Sequence, residues 1–390
     1  MSLRQAGADV RARAVRPAVV IVNDSAVARA VTAAVVKACG EFEVLGSAAG
    51  GRAGVAMVCE QRPALVLLDM HMPDINGVEA TRRIMRDCPT RILICSATIR
   101  RNAGFLFDAL AAGAVDFTHT PVLTAQAGTQ VGRDQLLGSG AELLHKMRLV
   151  MQLAVPARTS APPGAPAEST HPGVRRAPDA ARAPGVHPRP VRDPPWGFAS
   201  ALPPVVAIGC STGGPSTLAR LLRALPPSLS AAVVVTQHIE AEFTEGLARW
   251  LTQETGRAVG VASDGEPPRA GRVYLACGGR RNLTLTAGGV LRYEPSGAAL
   301  YYPNIDRMLS TVAARLGRRA CGVILTGLGD DGAAGLAAVA AAGGQVLVED
   351  PATAVIDGMP RAALRRGLVS RGQSLDDLAL GIARWVKGVA

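Results

Sequence analysis

The sequence predicts an α/β protein built from two separately folded halves, and three observations carry that expectation. Short runs rich in Val, Leu and Ile, each of strand length, alternate with helical patterns in both halves. A stretch crowded with Pro, Ala, Gly, Ser and Arg divides them at residues 154–202. Asn, Asp, Ser, Thr and His recur at the carboxyl ends of the apolar runs, the edge at which open parallel sheets bind ligands.

In the first half the runs are VVIVN (19–23), EVLGSA (43–48), ALVLLDM (64–70), RILICSA (91–97) and AVDFT (114–118), which read as buried parallel strands. Between the first two, Val27, Val31 and Val35 fall on one helical face and Gly40 is placed to end the helix. A closing helix is expected at about 133–153. Five strands with intervening helices predict a doubly wound, flavodoxin-like sheet whose strand ends carry Asn23, Asp24, Asp69, Ser96 and Thr120.

The segment 154–202 holds six arginines against three acids and too little aliphatic surface to fold, so it reads as an extended linker. Beyond it, VVAIGCSTGGPSTLARLLRAL (205–225) passes from an apolar strand through a Gly-rich turn into an amphipathic helix. GCSTG fits the G-x-S-x-G frame, in which a tight turn presents Ser211 at the strand end. A phosphate-binding glycine loop, or a plain strand–helix turn, would use the same pattern. The next strand, AAVVVTQH, ends in His238, the only histidine after the linker. A third, RACGVILTG, runs into GLGDDG, placing Asp330 and Asp331 at the same edge. Ser, His and Asp in that chain order differ from the α/β-hydrolases, where the acid precedes the histidine. An aspartate there could equally open the following helix as its N-cap.

Composition closes off other classes. With 390 residues, 48% of them hydrophobic, the chain can bury sizeable cores, and at 3% aromatic these are built from aliphatics and Ala. No apolar run reaches the length of a transmembrane helix. Residues 1–17 form a basic tail with no apolar core, unlike a secretory signal. The seven cysteines show no CxxC pair and read as small buried hydrophobes in a reducing, cytoplasmic setting rather than as staples. Cys210, beside Ser211, projects elsewhere in the turn and is discounted as a nucleophile. The net charge of +11 hints at nucleic acid, but much of the surplus lies in tail and linker, and no helix-turn-helix pattern follows.

The motifs of the first half, VNDS, LLDMHMPDINGVEA, ICSA and DFTHTP, resemble the receiver domain of two-component response regulators. That resemblance implies Asp69 as phosphoryl acceptor, with Mg²⁺ held by Asp24, Asp69 and the backbone carbonyl of His71. It also implies Ser96 and Phe117 as the residues that respond to phosphorylation. Two departures bear on this: Asn23 stands where receivers carry a second acid, and Thr120 where they carry a lysine. A receiver kept as a docking or masking module is the alternative to a phosphorylated one.

The second half resembles the catalytic domain of the CheB family of protein-glutamate methylesterases, through AIGCSTGGPSTL, VVVTQHIEAEFTEGLARWL, GRVYLACGG, PNIDRMLSTVA and ILTGLGDDGAAGLAAVAAAGG with VEDPATAVIDGMPRAAL. The whole is thus expected to be an α/β protein with an N-terminal flavodoxin-like receiver (18–153), a linker (154–202) and a mostly parallel methylesterase domain (203–390). The resemblance implies Ser211 as nucleophile, His238 as general base and acid, Asp331 as the orienting acid, and the N–H groups of Thr212 and Leu328 as oxyanion donors. It implies no cofactor for catalysis, methyl-accepting chemoreceptors as substrates, some glutamine deamidation, and a chemotaxis-type sensor histidine kinase as the receiver's partner. Cys277, Asn304 and Glu349 stand where Pro, Ser and Gln are usual, and Glu349 adds a charge near the strand ends. A small-molecule esterase and a non-catalytic receiver protein are the rival readings. If the receiver masks the site, deleting residues 1–200 raises esterase activity; equal activity of truncated and full-length chains would exclude masking.

Overall fold

A computed structural model of the chain describes residues 16–96, 103–123, 132–153, 202–297 and 301–389. The expected tail and linker therefore lie outside the described residues, apart from residues 16, 17 and 202.

The first half runs β1 (Ala18–Val22), α1 (Ala26–Cys39), β2 (Glu43–Ala48), α2 (Gly51–Gln61), β3 (Leu65–Leu68), α3 (Gly77–Asp87), β4 (Arg91–Ser96), α4 (Ala103–Ala111), β5 (Asp116–His119), α5 (Arg133–Ser139) and α6 (Ala141–Met151). Its five strands are parallel in the order β2-β1-β3-β4-β5, the flavodoxin-like arrangement. Strands β1, β3 and β4 are covered on both faces and are almost wholly aliphatic. Helix α1 starts where the Ser25 hydroxyl accepts the Ala28 N–H, and it ends at Gly40, whose φ of 75° suits glycine.

Four local expectations need correction. Val27 is 72% exposed, although Val35 of the same expected face is buried, together with Thr32 and Val36. Strand β2 is a half-exposed edge rather than a buried strand. The closing helix is two helices, broken at Gly140, where a Cβ would stand 2.1 Å from Val35 Cγ1. Cys59 and Cys88 form a disulfide, since neighbouring helices α2 and α3 bring their Cα atoms to 5.2 Å across a separation of 29 residues.

The second half comprises β6 (Val205–Cys210), α7 (Gly214–Ala224), β7 (Ala232–Gln237), α8 (Ala241–Thr255), β8 (Val259–Val261), β9 (Val273–Leu275), β10 (Arg281–Leu285), β11 (Leu291–Pro295), α9 (Ile305–Leu316), β12 (Ala320–Ile324), α10 (Ala333–Ala341), β13 (Gln345–Val348), α11 (Gly358–Arg365) and α12 (Leu375–Val389). Six parallel strands lie in the order β13-β12-β6-β7-β9-β8, and β10 and β11 form a separate antiparallel hairpin. Helices α7, α8 and α12 cover one face. Helices α9, α10 and α11 and the hairpin cover the other. Because the chain order reverses beside β6, the ends of β12, β6 and β7 open side by side at one edge.

The halves pack together through aromatic side chains, which are scarce in this chain as a whole. Phe107 of α4 lies 5.7 Å from Trp250 of α8, whose indole N–H donates to Asp108 at 2.9 Å. Phe117 of β5 meets Phe243 edge to face at 4.9 Å. The buried aliphatics on this side form one continuous cluster across both halves, with Leu106, Phe107 and Leu110 joined to Leu247, Ala248 and Leu251.

Candidate active site

Ser211 leaves β6 at a turn whose geometry follows from its glycines. Gly213 has φ of 78°, open to glycine and costly for other residues. At Gly214 a Cβ would stand 2.0 Å from Gln237 Oε1, so no side chain fits between the strand ends. Gln237 uses this closeness: its Nε2 donates to the carbonyls of Ser211 at 2.8 Å and His238 at 3.0 Å. The neighbouring N–H of His238 donates to the Cys210 carbonyl. The two strand ends are thus fixed to each other by main-chain and amide bonds.

Asp331 is 3% exposed, whereas Asp330 is exposed. Its carboxylate lies across the N-terminus of α9, accepting the N–H groups of Ile305 at 2.8 Å and Asp306 at 2.9 Å and the Asn304 amide at 3.2 Å. Oδ2 also faces His238 Nε2 at 2.8 Å. An ionised carboxylate only accepts, so this contact places the imidazole hydrogen on Nε2 and leaves the Nδ1 lone pair for another partner. Tyr301 stacks on the other side of the ring, centroids 5.4 Å apart and nearly parallel.

Ser211, Thr212, His238 and Leu328 line one cleft of about 410 Å³. The structure brings His238 and Asp331 into direct contact, and it places Ser211 in the same cleft without a hydrogen bond to His238 among the described residues. Serine and imidazole often close to bonding distance only when substrate is bound. The N–H groups of Thr212 and Leu328 have no acceptor among the described residues, and both residues line the cleft. Cys210 is fully buried, and burial, with the charge of Glu349 adding to it, raises its thiol pKa; it is not a poised nucleophile.

The first half forms the opposite wall of this cleft, through Val115, Asp116, Phe117, Glu142 and Lys146. Asp116 Oδ2 accepts from Lys146 Nζ at 2.7 Å and from the Thr212 hydroxyl at 3.2 Å, so a residue of β5 touches the turn that carries Ser211. His119 reaches Glu242 at 3.3 Å.

At the other acidic centre, Asp69 is buried and its pKa is raised by desolvation, with the Asp24 charge adding to the effect. Ser96 hydrogen-bonds this carboxylate, and the Met70 N–H donates to Oδ1 at 2.8 Å. Asn23 spends its side-chain oxygen on the Ser25 N–H. The Thr120 hydroxyl is buried without a partner among the described residues, and Lys146, the cation of neighbouring α6, is committed to Asp116.

Sequence reasoning missed Asn304 and Tyr301 as supports of the Asp331–His238 pair, Gln237 as the clamp, and Asp116 as the contact from the first half. It noted Glu349 only as an extra charge. Glu349 is 1% exposed, and its pKa is raised from 4.5 to about 7 by burial, against the opposing effects of the Thr326 N–H and the Arg220 charge. A carboxyl with a raised folded-state pKa binds more protons folded than unfolded, so its contribution is present below pH 4.5 and lost as pH rises through about 7. Glu349→Gln is therefore expected to gain on the parent by up to about 3 kcal/mol between pH 5 and pH 8, measured by urea unfolding. A difference constant with pH would contradict this.

Comparison with known proteins bears on the same two regions. Residues 206–382 match the family model for CheB methylesterase, and residues 19–127 that for the response regulator receiver domain. The chain is 38% identical over 360 residues to a protein-glutamate methylesterase/protein-glutamine glutaminase of Anaeromyxobacter dehalogenans, covering 92% of this chain and 94% of that one. It is 37% identical to a protein of the same name from Cupriavidus metallidurans, covering 92% and 95%. The crystal structure of the Thermotoga maritima CheB methylesterase catalytic domain aligns with 47% of the chain and 98% of its own, at 32% identity and a TM-score of 0.44.

Proposed function

The chain belongs to the CheB methylesterase family, with a response regulator receiver preceding the esterase, and on that premise we propose how its own residues carry out and control the reaction. The protein is a receiver-gated protein-glutamate methylesterase and protein-glutamine glutaminase: it hydrolyses γ-glutamyl methyl esters, and glutamine amides, on chemoreceptors. The observation that carries the catalytic assignment is the 2.8 Å contact between His238 and the buried Asp331 beside the Ser211 turn.

In this reading His238 Nδ1 takes the Ser211 proton, and Oγ attacks the ester carbonyl carbon. The negative charge that develops on the carbonyl oxygen is met by the N–H groups of Thr212 and Leu328. As the tetrahedral adduct collapses, His238 returns the proton to methoxide, methanol departs, and a glutamyl ester of Ser211 remains. Water then gives a proton to His238 and attacks that ester, and His238 passes the proton to Ser211 Oγ as the acyl bond breaks, leaving the glutamate carboxylate on the receptor and the serine restored. A glutamine substrate follows the same course with ammonia as leaving group. Asp331 orients the imidazole and stabilises imidazolium, while the Ile305 and Asp306 N–H groups at the start of α9 hold its carboxylate in place.

We place the receiver at 18–153, the linker at 154–202 and the catalytic domain at 203–390. The five-stranded sheet with α5 and α6, and the start of β6 at Val205, support those bounds. Phe117 and Asp116 make the receiver one wall of the cleft, which supports restriction of a receptor helix while the halves are docked. Asp69 is the proposed phosphoryl acceptor: a buried carboxylate at the end of β3 with Ser96 of β4 bonded to it, so a change there reaches Phe117 through β4 and β5. Asp24, Asp69 and the His71 carbonyl would hold Mg²⁺, since the raised Asp69 and its neighbour Asp24 form a pair of acids whose repulsion a divalent cation relieves. Bound there, the ion would supply charge neutralisation for phosphoryl transfer. Thr120 offers no cation to the phosphoryl group, so the response runs through Ser96 and the metal. We assign methyl-accepting chemoreceptors and a chemotaxis-type histidine kinase as partners and the cytoplasm as location. No helix of the described residues is long and apolar enough to cross a membrane.

Methanol release from methylated receptor membranes tests the reading: the full chain releases it, and Ser211→Ala lowers the rate by at least about 10³-fold. Equal release by the two would remove Ser211 from the mechanism.

A further inference from the structure

Beneath the cleft, one peptide unit joins both loops that carry the proposed oxyanion donors. The Thr326 carbonyl accepts the Ser211 N–H at 3.0 Å. The Thr326 hydroxyl donates to the Thr212 carbonyl at 2.9 Å and accepts the Ile356 N–H at 2.8 Å. Two residues further on is Leu328, which lines the cleft and carries the second proposed donor N–H. The remaining polar group of this unit, the Thr326 N–H, donates to Glu349 Oε2 at 2.6 Å.

Glu349 sits at the end of β13, 1% exposed, with its own N–H on the Ile324 carbonyl of β12. The charged or titratable groups acting on it or acted on by it are Arg220 of α7, the adjacent Asp350 and the Cys210 thiol of β6. Of these Arg220 is exposed and Cys210 is wholly buried; Arg220 is the opposing positive charge, and burial of the carboxyl outweighs it.

We propose that Glu349 is a positioning residue for the esterase that serves in its neutral acid form, holding Thr326, and through it the Ser211–Thr212 turn and the Leu328 loop, without placing a charge under the oxyanion. The reasoning is electrostatic. The neutral acid anchors the Thr326 N–H through a carboxyl oxygen as an amide would. Its anion keeps the anchor but adds a buried negative charge on the underside of the donors that must stabilise negative charge in the transition state, where weak screening makes such repulsion large. The site should lose reactivity as this carboxyl ionises, and burial brings that ionisation to about pH 7.

This inference rests on Ser211 being the nucleophile, and the test separates the two. The full-length protein and its Glu349→Gln variant, an isosteric amide with no ionisation, are labelled with a small fluorophosphonate between about pH 6 and pH 9, with Ser211→Ala as the blank. Thermal unfolding at each pH confirms that both are folded. The expected result is a ratio of parent to variant rates that falls by about tenfold through a single ionisation near neutrality, the effect of one pKa unit of coupling. Parallel profiles, at any offset, or a ratio that rises with pH, would overturn the proposal and leave Glu349 a structural anchor only. Labelling of neither folded protein at any pH would overturn the nucleophile assignment, and the inference with it.

Discussion

The carboxylate of Asp331 is the point on which the second half is organised. It is buried, yet four donors reach it: two backbone N–H groups and a side-chain amide at the start of α9, and the imidazole of His238. A buried charge without such partners would cost several kcal/mol, and removing any one partner leaves part of that cost uncompensated. The helix, the loop after β12 and the end of β7 are therefore held in one relative position. The imidazole inherits its tautomer from the same arrangement. Glycines at 213 and 214 complete it from the opposite side, by letting the Ser211 turn approach the clamp made by Gln237.

Regulation uses weaker forces at the rim. Asp116 is shared between Lys146 of its own half and the Thr212 hydroxyl of the other, and Phe117 rests on Phe243. Such contacts are each worth about 1 kcal/mol, enough to bias a docked arrangement and small enough to be outweighed by a change at β5. The larger aliphatic seam between α4 and α8 keeps the halves associated. This division suits a gate: an extended aliphatic seam between α4 and α8, with polar and aromatic contacts beside the cleft.

Much of this was legible in the sequence because it rests on periodicity and on residue types tied to turns. The aliphatic runs at 19–23, 64–70, 205–210 and 231–237 gave the central strands, and the glycines beside Ser211 marked the sharp turn. What could not be read depends on distant packing. Spacing placed Val27 with Val35 on the inward face, but the sheet reaches only the later turns of α1, where Thr32, Val35 and Val36 are buried. Nothing between Cys59 and Cys88 announced that α2 and α3 would set them side by side. Gln237, Asn304 and Tyr301 are ordinary polar residues in sequence, given meaning only by the strand ends and the helix that converge on them. Asp116 takes its meaning from Thr212, a hydrogen-bond partner 96 residues away.

The central claim is that hydrolysis proceeds through an acyl-enzyme on Ser211, oriented by the Asp331–His238 pair, and not on the neighbouring thiol. The most direct measurement is rapid-quench mass spectrometry of the full chain turning over a peptide that carries a glutamate γ-methyl ester, reading the peptide that spans residues 205–220. The account predicts a transient adduct on Ser211 of the peptide acyl mass, formed with release of one methanol and lost on hydrolysis. Methanol release with no adduct, or an adduct on Cys210, would contradict it.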